Sequence, residues 1–297
     1  MSSVTTSDFP EGHMPLPNPS PEGEGLSIRA ALAAATERLV STSATPRLDA
    51  ELLMAHALGV ERNALLLSHL DRLEPTAFTP LLARRMAGEP IAYITGTRAF
   101  WTIELEVGPG VLVPRPDSET LLEAAVAHFR SRAPRRILDL GTGPGTLLLA
   151  ALAEWPEAQG VGVDASEAAL AYARRNAEAL GLAARADLRL GDWTDGLSGA
   201  FDLILCNPPY VETGADLPRD VRDWEPAEAL FAGADGLDDY RRLAPQLPPL
   251  LAPDGIACIE VGAGQAETVA DLFRTQGLSV SFRPDLAGHL RCLALTR

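Results

Sequence analysis

The sequence predicts an α/β fold: a doubly wound, mostly parallel sheet preceded by a small helical domain and a β-hairpin connector. After Pro134, short apolar runs alternate with longer stretches of helical period. Such alternation is typical of a parallel sheet with helices on both faces. Before Pro90, apolar residues recur at helical spacing, which indicates a group of packed helices.

Composition restricts the class of protein. The chain has 297 residues, 46% of them hydrophobic, so it can bury a sizeable core. The net charge of −15 argues against a large non-specific footprint on nucleic acid, which needs clustered Lys and Arg. Its three cysteines lie in apolar runs, which favours reduced, buried thiols in a cytoplasmic protein. We expect no membrane segment or secretory signal, because no suitable apolar run is present.

Four segments follow one another along the chain. Residues 1–25, rich in Pro and Ser, predict a disordered tail. Residues 26–90 predict the helical domain, with one stripe formed by Ile28, Leu32 and Leu39 and a second that ends at Gly59 and comprises Leu48, Leu52, Leu53 and Leu58. Residues 91–116 predict the hairpin connector, with β-like runs at 93–97, 100–107 and 111–113. Residues 117–297 predict the α/β domain.

The elements of the α/β domain are predicted in order. A first helix, capped by Asp117 or Ser118, is expected to run to about Arg132. The predicted strands are 137–140, 160–164, 188–190, 201–206, 256–261 and two at the C-terminal end. The predicted helices follow the first strand or span 166–180, 236–251 and 265–273.

A glycine loop follows the first of these strands, and its residues are Gly141, Thr142, Gly143, Pro144 and Gly145. Glycines let a backbone approach a ligand closely, and a helix N-terminus presents free N–H groups. The spacing G-x-G-x-G differs from the dinucleotide pattern G-x-G-x-x-G. Asp139 lies just before the loop, where a carboxylate would repel a diphosphate but attract a sulfonium or an ammonium group. The loop therefore favours S-adenosylmethionine over NAD, the alternative being a tight turn without a ligand.

Two further strand ends suit a nucleoside. Asp164 could accept hydrogen bonds from both ribose hydroxyls, or it could cap the next helix. After the third strand, Asp192 could accept a hydrogen bond from an exocyclic amine, and Trp193 offers an apolar face to adenine. The alternative for Trp193 is a loop side chain packed on the core.

The most specific motif is Asn207-Pro208-Pro209-Tyr210, directly after the strand at 201–206. A planar amide nitrogen is a poor nucleophile because its lone pair is delocalised. The Asn207 side-chain oxygen and the Pro208 carbonyl could accept its two N–H groups, and the prolines would keep these acceptors in place. Tyr210 could lie against the planar substrate. These four residues are thus the predicted catalytic and substrate-binding residues, with Asn207 also near the cofactor; the alternative is a proline-rich turn.

Together these motifs resemble the release factor N5-glutamine methyltransferases, the HemK-type family. The Asn-Pro-Pro-Tyr motif alone is shared with adenine-N6 and guanine-N2 methyltransferases. Other blocks make the resemblance specific, and they are Gly88 to Gly96, Phe100-Trp101, Pro114 to Glu119, Trp224 to Pro226, Ala229 to Gly233, Asp235 to Leu237 and Asp285 to Gly288. Pro144 and the extension before Leu26 depart from the family pattern.

The resemblance implies a seven-stranded, Rossmann-like class I methyltransferase domain behind a substrate-docking helical domain. It implies that the glycine loop, Asp164 and the loop at Trp193 hold S-adenosylmethionine. It also implies that the Asn207 loop holds the glutamine of a Gly-Gly-Gln motif in a peptide chain release factor. Phe100 and Arg115 are expected near the cofactor or the peptide; the alternatives are a hairpin core residue and a salt bridge to Glu119.

Three other functions compete with this interpretation. A methyltransferase acting on adenine N6 or guanine N2 of a nucleic acid could share the Asn207 loop, but the acidic charge argues against it. A dinucleotide oxidoreductase would leave that loop without a role, and a non-catalytic module docking on a ribosomal partner would not need the whole constellation. We therefore expect a monomeric, cytoplasmic enzyme that acts on release factors, needs no metal and does not bind nucleic acid stably.

Overall fold

The computed structural model describes residues 25–297, so the predicted tail lies outside the described residues except for Gly25. Five helices come first. Ser27 caps the first of them by accepting a hydrogen bond from the Ala30 N–H, and Gly59 ends the second in the left-handed conformation. The helices are α1 (Ile28–Leu39), α2 (Pro46–Leu58), α3 (Arg62–Ser68), α4 (Phe78–Met86) and α5 (Ile91–Thr95).

The apolar stripe predicted for α1 is buried, whereas the stripe predicted for α2 is partly wrong. Leu53 of the predicted stripe is buried, but Leu48 is 39% exposed, and α2 buries Ala50 and Met54 beside Leu53. These three positions follow the i, i+3, i+4 spacing of one helix face, and that face is rotated away from Leu48.

The hairpin connector is shorter than predicted. The run 93–97 was expected to be β-like, but α5 covers most of it and Gly96 ends that helix with a φ of 80°. Tertiary contacts override the local preference: Tyr93 is buried and its hydroxyl donates to the Val111 carbonyl. The hairpin itself consists of β1 (Thr97–Phe100) and β2 (Ile103–Glu106), and the predicted β-like run 111–113 is not a strand.

A seven-stranded, mostly parallel sheet forms the centre of the α/β part of the chain, which confirms the predicted fold class. The strand order is β5-β4-β3-β6-β7-β9-β8, and β9 runs antiparallel to both of its neighbours. The strands are β3 (Arg136–Leu140), β4 (Gln159–Asp164), β5 (Ala186–Leu190), β6 (Phe201–Cys206), β7 (Leu251–Glu260), β8 (Ser279–Pro284) and β9 (Leu290–Thr296).

Helices cover both faces of this sheet. Two predicted boundaries are wrong: α6 ends at His128, and neither Asp117 nor Ser118 makes a side-chain cap. The predicted helix 236–251 is two short helices separated by a turn at 244–246, because Pro245 has no N–H to continue the hydrogen bonds of the first one. The helices are α6 (Glu119–His128), α7 (Thr146–Glu154), α8 (Glu167–Ala179), α9 (Arg219–Arg222), α10 (Asp238–Leu243), α11 (Leu247–Leu250) and α12 (Ala266–Arg274).

The core fills the space between the sheet and the helices. Residues of α6 and α7 pack on one face, and residues of α10, α11 and α12 pack on the other. All three cysteines, Cys206, Cys258 and Cys292, are fully buried there as free thiols. Within residues 25–297 we find no helix with the length and apolar character needed to cross a membrane.

Chain order places a crevice at one edge of the sheet. From β3 the chain adds β4 and β5 on one side, and then returns to add β6 and β7 on the other. In open α/β sheets, ligands bind at the carboxyl ends of the strands where this order reverses. The glycine loop follows β3 and the Asn207 loop follows β6, so adjacent strands bring the two motifs to one crevice.

Candidate active site

A cavity of about 580 Å³ occupies this crevice. Of the residues predicted for the site, those that line it are Asp139, Gly141, Thr142, Gly143, Pro144, Asp164, Asp192, Trp193, Asn207, Pro209 and Arg115. Those that do not line it are Gly145, Pro208, Tyr210 and Phe100. The loops after four neighbouring strands therefore converge on one space.

The glycine loop depends on conformations that other residues rarely adopt. Gly141, Gly143 and Gly145 have φ values of 71°, 56° and 89°. A Cβ on Gly145 would also come within 2.7 Å of the Leu149 side chain. Glycine is thus required at the point where the loop turns into α7.

Asp139 is almost completely buried beneath the loop. Its Oδ2 accepts hydrogen bonds from the Thr142 hydroxyl at 2.6 Å and the Leu148 N–H at 3.1 Å. Its Oδ1 is buried without a hydrogen-bond partner among residues 25–297. Burial raises the pKa of Asp139 to about 7, although the hydrogen bonds from these two donors lower it. A buried carboxylate oxygen in the wall of a cavity suits a ligand that carries a positive charge.

Asp164 holds the glycine loop against the end of β4. Its two carboxylate oxygens accept from the Gly143 N–H and the Ser166 N–H, each at 2.8 Å. Ser166 caps α8 by accepting from the Ala169 N–H, so the alternative role of Asp164 as the helix cap is wrong. Burial raises the pKa of Asp164, although the backbone donors oppose the effect.

The loop after β5 packs against α10. The Trp193 ring would contact a Cβ on Gly141, and its Nε1–H donates to Asp239 at 3.3 Å. Asp192 is exposed and forms an ion pair of 2.6 Å with Arg242. Sequence reasoning missed Asp239 and Arg242, which also line the cavity. Nothing in their local pattern distinguishes them from other charged residues of a short helix.

The Asn207 loop is fixed from several directions. The Asn207 amide donates from Nδ2 to the Ser118 hydroxyl at 3.3 Å. The Tyr210 hydroxyl donates to Glu260 at 3.3 Å, and the Tyr210 carbonyl accepts from Gln265 at 3.0 Å. Sequence reasoning proposed Ser118 only as a helix cap and missed Glu260, whose only signal is an acidic residue at the end of an apolar strand.

Arg115 lies at the mouth of the cavity, but its partner differs from the predicted one. It forms an ion pair of 2.5 Å with the buried Glu225, whereas Glu119 accepts from the Trp101 backbone N–H. The second oxygen of Glu225 accepts from the Val113 N–H at 3.1 Å. Burial raises the pKa of Glu225, and Arg115 opposes the effect. Glu225 thereby connects the segment at 111–115 to the loop that follows Tyr210.

Phe100 is only 2% exposed and packs in the core beside β1. The placement matches the alternative of a hairpin core residue, and the expectation of a ligand contact has no support in this geometry. Among residues 25–297, no group of three or more His, Cys, Asp and Glu side chains is arranged to hold a metal ion.

Comparisons with known proteins identify related families and folds. The family described as PrmC N-terminal domain matches residues 30–96, and the Methyltransferase small domain matches residues 116–222. The catalytic domain of hMettl16, solved in complex with MAT2A 3'UTR hairpin 6, shares the fold, with a TM-score of 0.50, 18% identity and coverage of 64% of this chain and 74% of that one.

Two relatives are similar over most of the chain, and both are named release factor glutamine methyltransferase. The one from Rhodospirillum rubrum is 47% identical over 259 residues, which is 85% of this chain and 79% of the relative. The one from Caulobacter vibrioides is 42% identical over 274 residues, which is 90% of this chain and 95% of the relative. The chain therefore belongs to the family of release factor glutamine methyltransferases.

Proposed function

We propose that this protein transfers a methyl group from S-adenosylmethionine to the side-chain amide nitrogen of the glutamine in the Gly-Gly-Gln motif of peptide chain release factors. The observation that carries the proposal is the position of Asn207 to Tyr210 at the end of β6, beside the glycine loop of the adjacent β3. The names and identities of the relatives support the choice of substrate.

The charges and the lining residues of the cavity suit S-adenosylmethionine. The Oδ1 of Asp139 has no hydrogen-bond partner within residues 25–297 and is a counter-charge for a cation, and the glycine loop and the start of α7 line the cavity. Asp164 would accept the ribose hydroxyls, and Asp192 and Trp193 would border the adenine. When bound, the cofactor supplies a methyl group on a sulfonium, which is a good leaving group.

The Asn207 loop would position the substrate amide. Because the Asn207 NH2 group donates to Ser118, its Oδ1 is left to accept an N–H of the glutamine amide. The Pro208 carbonyl would accept the second N–H. Two acceptors on one NH2 group restrict its rotation and draw electron density to the nitrogen, so orientation and polarisation act together.

The substrate is proposed to be a protein rather than a nucleic acid. The formal net charge of −15 disfavours a polyanionic partner but is compatible with a basic protein surface. We assign residues 26–90 to substrate docking, residues 91–116 to the connector and residues 117–297 to catalysis. We further propose that the enzyme acts as a monomer in the cytoplasm, where release factors function.

The direct test is incubation of purified release factor with the protein and isotope-labelled S-adenosylmethionine, followed by mass spectrometry of the tryptic peptides. We expect one labelled methyl group on the glutamine of the Gly-Gly-Gln peptide. A release factor with that glutamine replaced by alanine is the control, and it should stay unlabelled. Label on RNA or DNA substrates with none on the release factor would refute the proposal.

A further inference from the structure

Trp193 has a backbone conformation that needs support from the rest of the fold. Its φ of 51° lies in the left-handed region, and among residues 25–297 Trp101 is the only other non-glycine residue with a positive φ. A side chain in this region costs free energy, which tertiary contacts must offset. Because Trp193 also lines the cavity, the contacts that hold its ring bear directly on the site.

Two contacts fix the Trp193 ring. The ring would lie 3.5 Å from a Cβ on Gly141, so it lies beside the first glycine of the loop. At its polar edge, the Nε1–H donates to Oδ1 of Asp239 at 3.3 Å. An indole has this one donor and no acceptor, so Asp239 satisfies its whole hydrogen-bonding capacity. The contact with Gly141 locates the ring, and the hydrogen bond to Asp239 opposes a flip of the ring.

Asp239 is itself held in place. It lies in the first turn of α10 with its side chain 16% exposed, and Arg242 forms an ion pair with the same Oδ1 at 3.6 Å. Residues three apart on a helix share one face. Arg242 also forms the ion pair of 2.6 Å with Asp192. The arginine therefore connects α10 to the loop that carries Trp193, and all four of these residues line the cavity.

We propose that Asp239 is a positioning residue of the cofactor site, and that it acts through Trp193 by holding the indole where its apolar surface borders the adenine of S-adenosylmethionine. The inference rests on the proposed role of Trp193 in binding that cofactor. Aromatic contacts depend on the geometry of the ring, and a ring that is ordered before binding loses less entropy when the ligand arrives. Loss of the Asp239 carboxylate therefore weakens cofactor binding and leaves the Asn207 loop, where the methyl group is transferred, unchanged.

Asp239→Ala tests the proposal through the binding of S-adenosylhomocysteine, the demethylated product, measured by calorimetry. We expect the dissociation constant to rise about 3- to 10-fold, the size expected for one lost hydrogen bond. Asp239→Asn keeps an acceptor oxygen for the Trp193 N–H and should restore the affinity to within about twofold of the unaltered protein. With saturating S-adenosylmethionine, the single-turnover methylation rate of a release factor should stay within about twofold in Asp239→Ala.

A double-mutant cycle with Trp193→Phe separates positioning from direct contact with the ligand. This substitution keeps an aromatic ring but removes the donor to Asp239, so alone it should weaken binding at least as much as Asp239→Ala. It thereby tests the same hydrogen bond if Asp239→Ala folds poorly in thermal unfolding. In the Trp193→Phe background, Asp239→Ala should change the dissociation constant by less than about twofold. A full loss in that background would show that Asp239 touches the ligand itself and would overturn the proposal.

The fluorescence of Trp193 gives a readout that does not depend on turnover. Subtracting the emission of Trp193→Phe from that of the unaltered protein isolates Trp193 from the other tryptophans. The same subtraction in the Asp239→Ala background should give an emission shifted to longer wavelength, because a ring released from its partner contacts more water. An unshifted emission would show that Asp239 does not hold the ring.

Asp271→Ala is the matched control. Asp271 forms an ion pair of 2.8 Å with Arg274 on α12, at the same i, i+3 spacing as Asp239 and Arg242, and it does not line the cavity. It should keep both the dissociation constant and the emission of the unaltered protein. Unchanged affinity in Asp239→Ala would overturn the inference and leave the proposed function intact. Absence of release factor methylation by the unaltered protein would instead overturn the proposed function.

Discussion

Asn207 offers two different groups to its surroundings, and the difference determines what the loop can do. Its Nδ2 faces the Ser118 hydroxyl, and its Oδ1 is left for the cavity that it lines. An asparagine suits this position because it anchors itself with one end and accepts with the other. An aspartate has two acceptors and no donor, so it cannot make the same anchor.

Replacement of Asn207 should therefore impair the chemical step. Asn207→Ala removes an acceptor that orients the substrate amide, and kcat should fall by roughly 10²–10³. Asn207→Asp should be similarly impaired, because it replaces the NH2 donor by a second acceptor and adds a negative charge beside the substrate amide. The measurement is single-turnover methylation of a release factor, with cofactor affinity followed by calorimetry. Gln276→Ala, which removes an exposed side-chain amide after α12, should behave as the unaltered protein. Near-normal turnover in both Asn207 variants would contradict the assignment.

The glycine loop acts as an element, because its shape depends on how α7 begins. Gly145 occupies the N-cap position of α7 in the left-handed conformation and lies against Leu149. A side chain there would meet two separate penalties, one from its backbone conformation and one from collision with the helix.

Gly145→Ala should lower the free energy of unfolding by about 1–3 kcal/mol and weaken cofactor binding. Gly277→Ala is a matched control, since Gly277 has a φ of 81° and, apart from its chain neighbours, no atom of residues 25–297 lies within 4 Å of its Cβ position. The control should show the backbone penalty alone, so the difference between the two variants measures the collision with Leu149. Urea unfolding of both variants gives this difference, and equal losses would show that α7 accommodates the methyl group.

Elements with a strong local pattern could be predicted from sequence, and elements fixed by distant contacts could not. The strands β3, β4 and β6 are mostly apolar runs between polar loops, and their predicted bounds agree with the structure within one residue. The strands β5 and β7 begin two and five residues earlier than predicted. Helix α5 contains Tyr93, Ile94 and Thr95, three residue types that favour strands. Its helical form depends on tertiary packing, which the local sequence pattern does not reveal.

The same distinction separates the site residues that could be predicted from sequence from those that could not. Residues at strand ends could be predicted because parallel strands bring their carboxyl ends to one edge of the sheet. Glu225, Asp239 and Arg242 reach the cavity region through long returning loops and a short helix, and their spacing from Asn207 has no regularity. The predicted ion pair between Arg115 and Glu119 is wrong for this reason. Glu119 is close to Arg115 in sequence, whereas the observed partner, Glu225, lies far along the chain.

At the scale of the whole molecule, two buried carboxyls make the free energy of unfolding depend on pH. Burial raises the pKa of both Asp139 and Glu260 to about 7. In the unfolded chain such groups lose their protons near their ordinary, lower pKa values. Between those values and about pH 7 the folded state binds more protons than the unfolded state. A rise in pH through this range therefore removes stability.

Asp139→Asn should abolish its share of this dependence. The free energy of unfolding of the unaltered protein, minus that of the variant, should fall as pH rises from about 5 to 8, by up to about 1.4 kcal/mol per pH unit. Asp254→Asn, which alters an exposed carboxyl, should show no such trend relative to the unaltered protein. Denaturant titrations at several pH values measure both differences. A difference that stays constant or grows with pH would contradict the raised pKa of Asp139.

The three cysteines have a practical consequence for observing the enzyme at work. Cys206, Cys258 and Cys292 are buried in adjacent strands of the sheet, so thiol reagents reach them only when the sheet opens. The rate at which these thiols are labelled would therefore measure how often the sheet opens, and bound cofactor should lower that rate. Because the three native cysteines react so slowly, a thiol-reactive dye would label an added surface cysteine and leave them unlabelled. A single cysteine introduced at Leu67, which is 84% exposed on α3, could carry a dye that reports release factor docking on the helical domain.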